Sequence, residues 1–393
     1  MGSKGTIGIL TGGGDVPGLN PAIRAVTIRA VKEGYSVIGI KNGWKGLINI
    51  DRDAPANEQR YAEALDIKTV HPIGRKGGTF LHSSRTNPLH VSKKNVPAHL
   101  KHKYDNDDND LTDEVLKNLE YLNIDCLLPI GGDDTLSYAA HLHKMNFKCV
   151  AMPKTMDNDV PGTDYCLGFS TCVTRTVHYT NQLRTCAGSH ERFLVIEVFG
   201  RYAGFSALIP CLAGAADRCV IPEYKFDIER LTDLLVSDKK NNPSDYSVVF
   251  VSEGAMFEDS EMIFQGNEVD GFGHKKLGGI GESVSSQLKK ISPQFNNGES
   301  VHVINQRLGY LVRSGDPDAL DSMISMAYAN LAMNMIIENK SGVMVCLRKG
   351  RYEVVPLDVV VSYKKLVDVS KFYDVERYRP IYKNFEDKPM WII

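Results

Sequence analysis

TIGILTGGGD, residues 6–15, is a short apolar run that ends in three glycines and an aspartate. An amphipathic run follows it over Gly18–Lys32. A short apolar run indicates a buried strand and a longer amphipathic run indicates a helix, with the glycines as the turn between them. The N-terminus therefore predicts a strand, a tight loop and a helix, which is the repeating unit of an α/β fold.

The same alternation recurs along the chain. Apolar runs at Cys126–Ile130 and Cys149–Pro153 precede helical runs at Asp134–Met145 and near Ser170–Arg184. Further strands are expected at Phe193–Phe199, Cys219–Pro222, Val248–Ser252 and Gly342–Leu347, and further helices at Asp227–Val236, Gly278–Lys289 and Pro317–Ile337. This rhythm predicts a mainly parallel sheet, whose ligand site lies at the carboxyl ends of the strands.

The composition is that of an ordinary globular protein. The chain has 393 residues, 42% hydrophobic and 24% charged, with a formal net charge of −2. The length favours two domains or one large α/β body, the charge argues against nucleic-acid binding, and no apolar run reaches transmembrane length. The eight cysteines form no C-x-x-C pair and no secretory signal is recognised, so we expect a cytoplasmic protein with free thiols and no membrane partner.

Three polar loops follow predicted strands and are expected to meet at one edge of the sheet: Thr11–Asp15, Gly131–Thr135 and Lys154–Asp159. The consecutive glycines Gly12 to Gly14 fit a phosphate held by backbone N–H groups, although a tight turn without a ligand fits equally well. Asp133 has the oxygen chemistry that Mg²⁺ prefers. The alternative is an aspartate that only caps the following helix.

Asp157 is the candidate base for an attacking hydroxyl, and an Asx-type turn before Pro161 is its alternative role. Four arginines stand in apolar or glycine-rich settings: Arg85, Arg192, Arg201 and Arg313. The guanidinium fork binds phosphate at two points, although a surface salt bridge is the commoner role for any single arginine. As a set they favour a substrate that carries phosphate.

Asn87–Asp110 is a long polar stretch with a basic half and an acidic half. A loop of this length inside a compact domain is either functional or mobile. We interpret it as a solvated excursion on the surface.

Five motifs, taken in order, resemble the 6-phosphofructokinase signature: Leu10–Asn20, Gly77–Thr79, Gly131–Thr135, Lys154–Asp159 and Phe199–Arg201. Their order and spacing agree with that family from Thr6 to about Glu338. The resemblance implies two Rossmann-like three-layer α/β domains with mainly parallel sheets and the active site between them. Residues 1–167 with 313–362 would bind the donor, residues 168–312 would bind the sugar phosphate, and 363–393 would be a C-terminal tail.

The resemblance also implies roles for individual residues. Asp157 would accept the proton of the sugar 1-hydroxyl, and the other catalytic residues would be Asp134, Lys154 and Arg201. Mg²⁺ would be the cofactor, held by Asp133, and the donor would contact Gly13, Gly14, Arg85 and Asp134. Fructose 6-phosphate would contact Thr155, Asp157, Arg192, Phe199, Gly200, Arg201, Glu223, Tyr310 and Arg313. Arg192 would reach across from a neighbouring subunit of a homodimer or homotetramer.

Two positions bear on the phosphoryl donor. Members of the family that use ATP usually have glycine where this chain has Asp134, and many have glycine where it has Lys154, so both residues resemble the pyrophosphate-dependent branch. A carboxylate about 4 Å from the α-phosphate of ATP would repel it by about 4 kcal/mol at an effective dielectric of about 20, or roughly a thousandfold in affinity. The resemblance thus implies reversible transfer from pyrophosphate to fructose 6-phosphate in glycolysis and gluconeogenesis. An ATP-dependent or mixed-donor 6-phosphofructokinase is the alternative.

The chain departs from the family at Ile304, where an arginine usually stands. Arg307 lies nearby but out of register, so the residue that contacts the sugar 6-phosphate is left open.

Proteins of another functional class, a nucleotide-binding sensor or a dehydrogenase, could have a similar α/β fold. A dehydrogenase should carry a dinucleotide-binding fingerprint, which the sequence lacks.

Overall fold

The computed structural model describes residues 3–55, 59–269, 273 and 275–385. In chain order its strands are β1 (Thr6–Thr11), β2 (Ser36–Ile40), β3 (Ala62–Ala64), β4 (Val91–Ser92), β5 (Asp108–Asn109), β6 (Cys126–Gly131), β7 (Val150–Pro153), β8 (Phe193–Val198), β9 (Arg218–Val220), β10 (Ser247–Ser252), β11 (Phe264–Val269), β12 (Lys275–Leu277), β13 (Val303–Arg307), β14 (Val343–Arg348), β15 (Arg351–Pro356), β16 (Tyr373–Asp374) and β17 (Arg379–Pro380).

The helices are α1 (Leu19–Glu33), α2 (Gly43–Ile48), α3 (Ile67–Val70), α4 (Thr112–Tyr121), α5 (Asp133–Lys144), α6 (Phe169–Ser189), α7 (Phe205–Leu212), α8 (Ile228–Asn241), α9 (Ile280–Phe295), α10 (Tyr310–Arg313), α11 (Ala319–Ile337) and α12 (Val369–Phe372). Every strand and helix expected from the sequence is present, although α6, α8 and α9 continue further toward the C-terminus than expected. No helix in the described ranges is both long and apolar enough to span a bilayer.

A seven-stranded sheet has the order β15-β14-β7-β6-β1-β2-β3. Its inner strands are parallel, whereas the edge strands β15 and β3 run antiparallel to their neighbours. Side chains alternate between the two faces of a strand, and in β6 Leu128 packs into the core that includes α1 while Leu127 packs into the core that includes α4 and α5. Helices therefore cover both faces of this sheet.

The strand order changes direction at β1. The chain continues from β1 to β2 on one side, and β6 pairs with β1 on the other side. The crevice at such a switch point, beyond the carboxyl ends of the strands, is where open α/β sheets bind ligands. The loop after β1 and the loop after β6 both begin there.

A second, four-stranded sheet has the order β13-β8-β10-β9, and all of its pairs are parallel. Every residue of β8 and β10 is buried. Helices α6 and α9 contact β8, and α7 and α8 contact β10. Because helices cover these strands, the sequence over β8 and β10 is a nearly continuous apolar run rather than an alternating one.

The two sheets draw their strands from the two predicted segments. The strands β14 and β15, near the end of the chain, rejoin the first sheet beside β7. The exact limits of the two domains stay a prediction.

The C-terminal tail packs on the second sheet within the residues described. The ribbon β16–β17 lies along β9, where Cys219 N donates to Tyr378 O at 2.8 Å and Tyr373 Oη donates to Cys219 O at 2.7 Å. The chain therefore crosses from the seven-stranded sheet back to the four-stranded one after residue 361. Residues 386–393 of the predicted tail lie outside the described part of the chain.

The segment Asn87–Asp110 departs from the prediction of a solvated excursion. Val91, Val96 and Leu100 are buried in the core next to α4. The charged side chains do lie at the surface, where Lys93 pairs with Asp105 at 2.6 Å. The prediction was wrong for the apolar side chains because the charges of the segment were weighed and its apolar residues were not.

Candidate active site

A cleft lies between the carboxyl ends of the two sheets. Its outer part has a volume of about 1180 Å³ and its inner part about 150 Å³. The residues that line both parts are Gly13, Gly14, Arg85, Phe199, Arg201, Glu253 and Arg313. Loops from both sheets thus form the walls of one cleft, which lies where the strand order predicts a ligand site.

The glycine loop after β1 lets cationic side chains approach its backbone. Gly13 has φ +79°, and a Cβ built on it would lie 3.1 Å from Lys154 Nζ. A Cβ on Gly14 would lie 3.0 Å from a guanidinium nitrogen of Arg313. The N–H groups of Gly12 and Gly13 donate to Ile130 O and Ser84 O, each at 3.0 Å, which favours the tight turn over a cradle of N–H groups at these two residues.

Lys154 follows β7, and its side chain is only 3% exposed. Its backbone N–H donates to Gly131 O at 2.9 Å, which fixes the side chain beside the glycine loop. Burial, followed by the charges of Arg313 and Arg85, lowers the pKa of Lys154 to about 8. The charges of Asp133 and Asp159 oppose this fall, so Lys154 already has acidic neighbours in the cleft.

Asp133 and Asp134 stand at the start of α5, on the wall of the inner cleft. The helix cap is Gly132, so capping does not account for either carboxylate, although Asp133 Oδ1 accepts the N–H of Asp134 at 2.9 Å. Asp133 is exposed to solvent. No cluster of three or more His, Cys, Asp or Glu side chains in the described ranges could hold a metal ion.

Asp157 lies in the loop after β7 and lines the inner cleft. The turn is built by its neighbours: Thr155 Oγ1 accepts the N–H of Asp157 at 3.2 Å, and Asn158 Oδ1 accepts the N–H of Cys166 at 2.8 Å. Asp157 Oδ1 is buried and has no hydrogen-bond partner among the residues described. The described residues show no hydrogen bond from a backbone N–H to Asp157 Oδ1, so this oxygen does not build an Asx turn.

Buried carboxylates surround Asp157. Burial and the charge of Glu253 raise the pKa of Asp157 well above the usual range of a carboxyl, and Arg201 and Arg313 oppose this. Burial and the charge of Asp157 raise the pKa of Asp159 in the same way. A group that binds its proton near neutral pH has the affinity that a general base needs.

Glu253 is the site residue that sequence reasoning missed. It lines both parts of the cleft, and burial raises its pKa to about 6. It follows β10 directly, so the rule that found the loops after β1, β6 and β7 would also have found it. Glu223, which was expected to contact the sugar phosphate, accepts the N–H groups of Gly204 at 2.9 Å and Val367 at 2.8 Å through its Oε1.

Arginines form the basic side of the cleft. Arg313 lies over the rings of Tyr310 and Phe199, at 4.7 Å and 5.7 Å from their centroids, and pairs with Asp15 at 3.2 Å. Arg201 donates to Lys275 O at 2.8 Å. Together with Arg85 these side chains bring concentrated positive charge to a chain that has little net charge.

Three of the predicted substrate residues lie outside the cleft wall formed by the described residues: Arg192, Gly200 and Glu223. Gly200 shapes the loop after β8, because at its φ of +120° a Cβ would lie 2.8 Å from Ala203 O. Arg192 lies just before β8, and its buried Nε has no partner among the residues described.

The position of the missing arginine is now clear. Ile304 lies within β13 and packs against the core. Arg307, at the carboxyl end of β13, lines the outer cleft and pairs with Glu197 at 3.0 Å and Glu253 at 3.7 Å. The strand therefore delivers an arginine to the cleft three positions later than expected.

Residues 6–336 match the family described as Phosphofructokinase. The chain belongs to the phosphofructokinase family. Over 371 residues it is 36% identical to the pyrophosphate–fructose 6-phosphate 1-phosphotransferase of Streptomyces coelicolor, a match that covers 94% of this chain and 98% of that protein. It is also 34% identical over 371 residues to ATP-dependent 6-phosphofructokinase 3 of the same organism, with the same coverage.

Among solved structures, the pyrophosphate-dependent phosphofructokinase of Nitrosospira multiformis superposes with a TM-score of 0.72 at 18% identity, covering 97% of this chain and 90% of that one. At this identity the likeness shows the fold alone. The predicted phosphofructokinase-like α/β fold is confirmed, and as a family member the chain is a phosphotransferase.

Proposed function

We propose that this phosphofructokinase transfers a phosphoryl group from pyrophosphate to the 1-hydroxyl of fructose 6-phosphate, with Mg²⁺, giving fructose 1,6-bisphosphate in a readily reversible reaction of glycolysis and gluconeogenesis. The observation that carries the donor is the buried ammonium of Lys154 beside Gly13, on the same wall as Asp134. Lys154, Arg85 and Arg313 bring positive charge to the inner cleft, which suits the phosphates of either donor.

Charge supports the same donor. The Asp134 carboxylate would repel the α-phosphate that ATP carries beyond the two terminal phosphates, whereas pyrophosphate has no such group. Lys154 would balance the charge that develops on the departing phosphate. Gly13, Gly14 and Arg85 would contact the donor where the cleft narrows.

The sugar phosphate would occupy the outer cleft. Arg201 and Arg313 would bind its phosphate and Phe199 and Tyr310 its ring, with Thr155 near the transferred group. Arg192, Gly200 and Glu223 would act from behind this wall, with Arg192 completing the site of a neighbouring subunit. Glu253 is an additional candidate because it lines both parts of the cleft.

Asp157 would take the proton from the 1-hydroxyl as that oxygen attacks the donor. Its buried Oδ1 has no partner among the described residues, so a substrate hydroxyl would complete its hydrogen bonding. Phosphoryl transfer needs mainly positioning and charge neutralisation from the protein. Asp157, Lys154 and Arg201 supply those two functions.

Mg²⁺ would be held by Asp133. Since no larger cluster of ligating side chains is present in the described ranges, water and phosphate oxygens would complete its shell, as is common for this ion. When bound, Mg²⁺ would neutralise charge on the donor phosphates. Dialysis against a chelator should therefore abolish turnover, and added Mg²⁺ should restore it.

An ATP-dependent or mixed-donor enzyme is the second candidate, and the similarity to the ATP-dependent Streptomyces coelicolor relative favours it. A homodimer or homotetramer in the cytoplasm completes the proposal. The test is an aldolase-coupled assay for fructose 1,6-bisphosphate with fructose 6-phosphate, Mg²⁺ and one donor at a time. Product formation from pyrophosphate but not from equal ATP supports the proposal, and a clear preference for ATP refutes the donor.

A further inference from the structure

Arg307 is the arginine of the outer cleft to which the proposed function gives no role. Among the described residues, the wall of that cleft contains four arginines and two carboxylates: Arg85, Arg201, Arg307 and Arg313 against Asp15 and Glu253. This excess of positive charge suits a phosphate monoester, which carries about 1.5–2 negative charges at pH 7. The outer cleft is therefore able to hold a sugar phosphate by its phosphate.

Arg307 lies at the outer end of this wall. Arg85, Arg201 and Arg313 line both parts of the cleft, whereas Arg307 lines the outer part only. Asp157, the candidate base for the 1-hydroxyl, lines the inner part only. In fructose 6-phosphate the phosphate is at the opposite end of the carbon chain from the 1-hydroxyl. A sugar with its 1-hydroxyl at Asp157 therefore points its phosphate outward, toward Arg307.

The guanidinium of Arg307 is held through two of its three nitrogens. Nε pairs with Glu197 Oε1 at 3.0 Å, while Nη2 donates to Leu277 O at 3.3 Å and lies 3.7 Å from Glu253 Oε2. Nη1 forms no hydrogen bond with any residue that the structure describes, and the side chain is 39% exposed. A guanidinium held in this way is preorganised, because it loses little freedom when a ligand binds its open side.

The two carboxylates beside Arg307 have other partners as well. Glu197 is buried, and its Oε2 accepts the N–H groups of Gly279 at 3.2 Å and Gly281 at 3.0 Å, at the start of α9. A helix N-terminus stabilises a carboxylate. Burial raises the pKa of Glu253 to about 6, and the charge of Arg201 opposes this rise more than that of Arg307 does. Because both negative charges are shared with other groups, Arg307 is able to bind a phosphate too.

The position of Arg307 also differs from that of the arginine that the family usually has. At the usual position this chain has Ile304, which packs against the core. Side chains alternate between the two faces of a strand, so residues 304 and 307 face opposite sides of β13. Arg307 therefore approaches the cleft from the carboxyl end of the strand and makes a contact that the family pattern does not assign.

We propose that Arg307 binds the ester phosphate of the sugar substrate through the open side of its guanidinium, and so selects a phosphorylated sugar over a free one. The inference rests on the proposed function, because it takes the sugar phosphate as the ligand of the outer cleft. Charge-assisted hydrogen bonds to phosphate are about twice as strong as neutral ones. The ester phosphate does not react, so Arg307 stabilises the bound substrate and the transition state alike. Its loss raises KM and leaves kcat nearly unchanged.

The first test is Arg307→Gln, which removes the charge and keeps a polar side chain. We expect the Kd for fructose 6-phosphate, measured by calorimetry without any donor, to rise about 10–100-fold, the factor for losing hydrogen bonds to a charged group. The preference of kcat/KM for fructose 6-phosphate over fructose should shrink by the same factor. With the donor that the wild type prefers, kcat should stay within about threefold and the KM for that donor within about twofold. Arg351→Gln, at an exposed arginine of β15, is the matched control and should change none of these values.

Arg307→Lys is the second variant, because Arg307→Gln also breaks the pair with Glu197. Lysine keeps a cation beside Glu197 but lacks the guanidinium fork. We expect a melting temperature close to that of the wild type and a Kd for fructose 6-phosphate still at least about fivefold weaker. Full affinity in Arg307→Lys, or unchanged affinity in Arg307→Gln, would overturn the inference and leave the proposed function intact. A wild type that does not bind fructose 6-phosphate would overturn the proposed function and the inference with it.

Discussion

Asp157 and Lys154 have pKa values that are displaced in opposite directions by the same burial. The raised value of about 7 leaves Asp157 protonated, and so unable to act as a base, at lower pH. The lowered value of about 8 leaves Lys154 neutral, and so unable to balance a phosphate, at higher pH. Both residues are in the required form only in a narrow interval near neutral pH.

We therefore expect a bell-shaped profile of kcat/KM against pH, rising through about 7 and falling through about 8. Bound phosphate stabilises the Lys154 ammonium, so the alkaline limb of the kcat profile should lie at higher pH than that of kcat/KM. Initial rates measured from about pH 5.5 to 10 at a fixed ionic strength give the kcat and kcat/KM profiles. This range covers roughly the pH values at which these groups titrate. A flat profile across that range would contradict these assignments.

Asp157→Asn keeps the shape of the side chain and removes the base. Loss of a general base lowers rates by about 10²–10⁴-fold, so kcat should fall by that factor while both KM values change little. The control is Asp107→Asn, at an exposed carboxylate in a segment away from the cleft. A kcat within threefold, or roughly 0.7 kcal/mol, of the wild type would exclude Asp157 as the base.

Among single site residues, those that directly follow strands were predictable from the sequence. Those whose role depends on tertiary contacts were not. Asp133, Lys154 and Asp157 follow strands and do reach the cleft. The sequence left open whether the N–H groups of Gly12 and Gly13 face a phosphate, because the acceptors that use them, Ile130 O and Ser84 O, come from segments distant in sequence. Glu223 also follows a strand, but it does not line the cleft, and its Oε1 accepts the N–H groups of Gly204 and Val367.

Among the helices and loops, Asp321 connects α11 to the segment behind the catalytic loop. Its carboxylate is fully buried and accepts hydrogen bonds from Tyr165 Oη at 2.6 Å, Gly168 N at 2.7 Å and Thr171 N at 2.9 Å. These donors lie at the start of α6 and just before it. Asp321 therefore fixes where α6 begins relative to the site.

Asp321→Ala leaves these buried donors unsatisfied. We expect a loss of about 3–5 kcal/mol in the free energy of unfolding, the range for breaking a buried charged network. Urea unfolding measures it, with Asp316→Ala as the control because Asp316 is exposed. A loss below about 1 kcal/mol would show that α6 is fixed by other contacts.

Elements with strong patterns were predictable and those set by their neighbours were not. The continuous apolar runs of β8 and β10 predict buried strands directly. Strand β13 carries Asn305, Gln306 and Arg307, so its apolar signal is short, and it forms because β8 offers a parallel partner from Phe193 onward. Tail residues 363–385 give no signal of their own, because their packing partners lie on β9.

Across the whole molecule, the proposed role of Arg192 requires a second subunit. Size-exclusion chromatography with light scattering should give a dimer or a tetramer. Arg192→Ala and Asp157→Asn should each be nearly inactive alone. Co-expressed, they should regain about a quarter of wild-type activity, because half of randomly paired dimers have one site with both residues intact.

Absence of such complementation in stable hybrid dimers would confine each site to one chain. Arg192 would then act only through the packing before β8. Arg192→Ala co-expressed with itself gives the baseline activity of this assay. If the protein were a monomer, no pair of variants could restore activity by sharing a site.

The donor comparison tests the central claim most directly. We predict that kcat/KM for pyrophosphate exceeds that for ATP by roughly a thousandfold in the wild type, the factor that corresponds to about 4 kcal/mol of repulsion at Asp134. In Asp134→Gly the ratio should shrink mainly because ATP is used better, while fructose 6-phosphate remains the acceptor. A wild-type enzyme that prefers ATP, or a ratio unchanged by Asp134→Gly, would contradict the account.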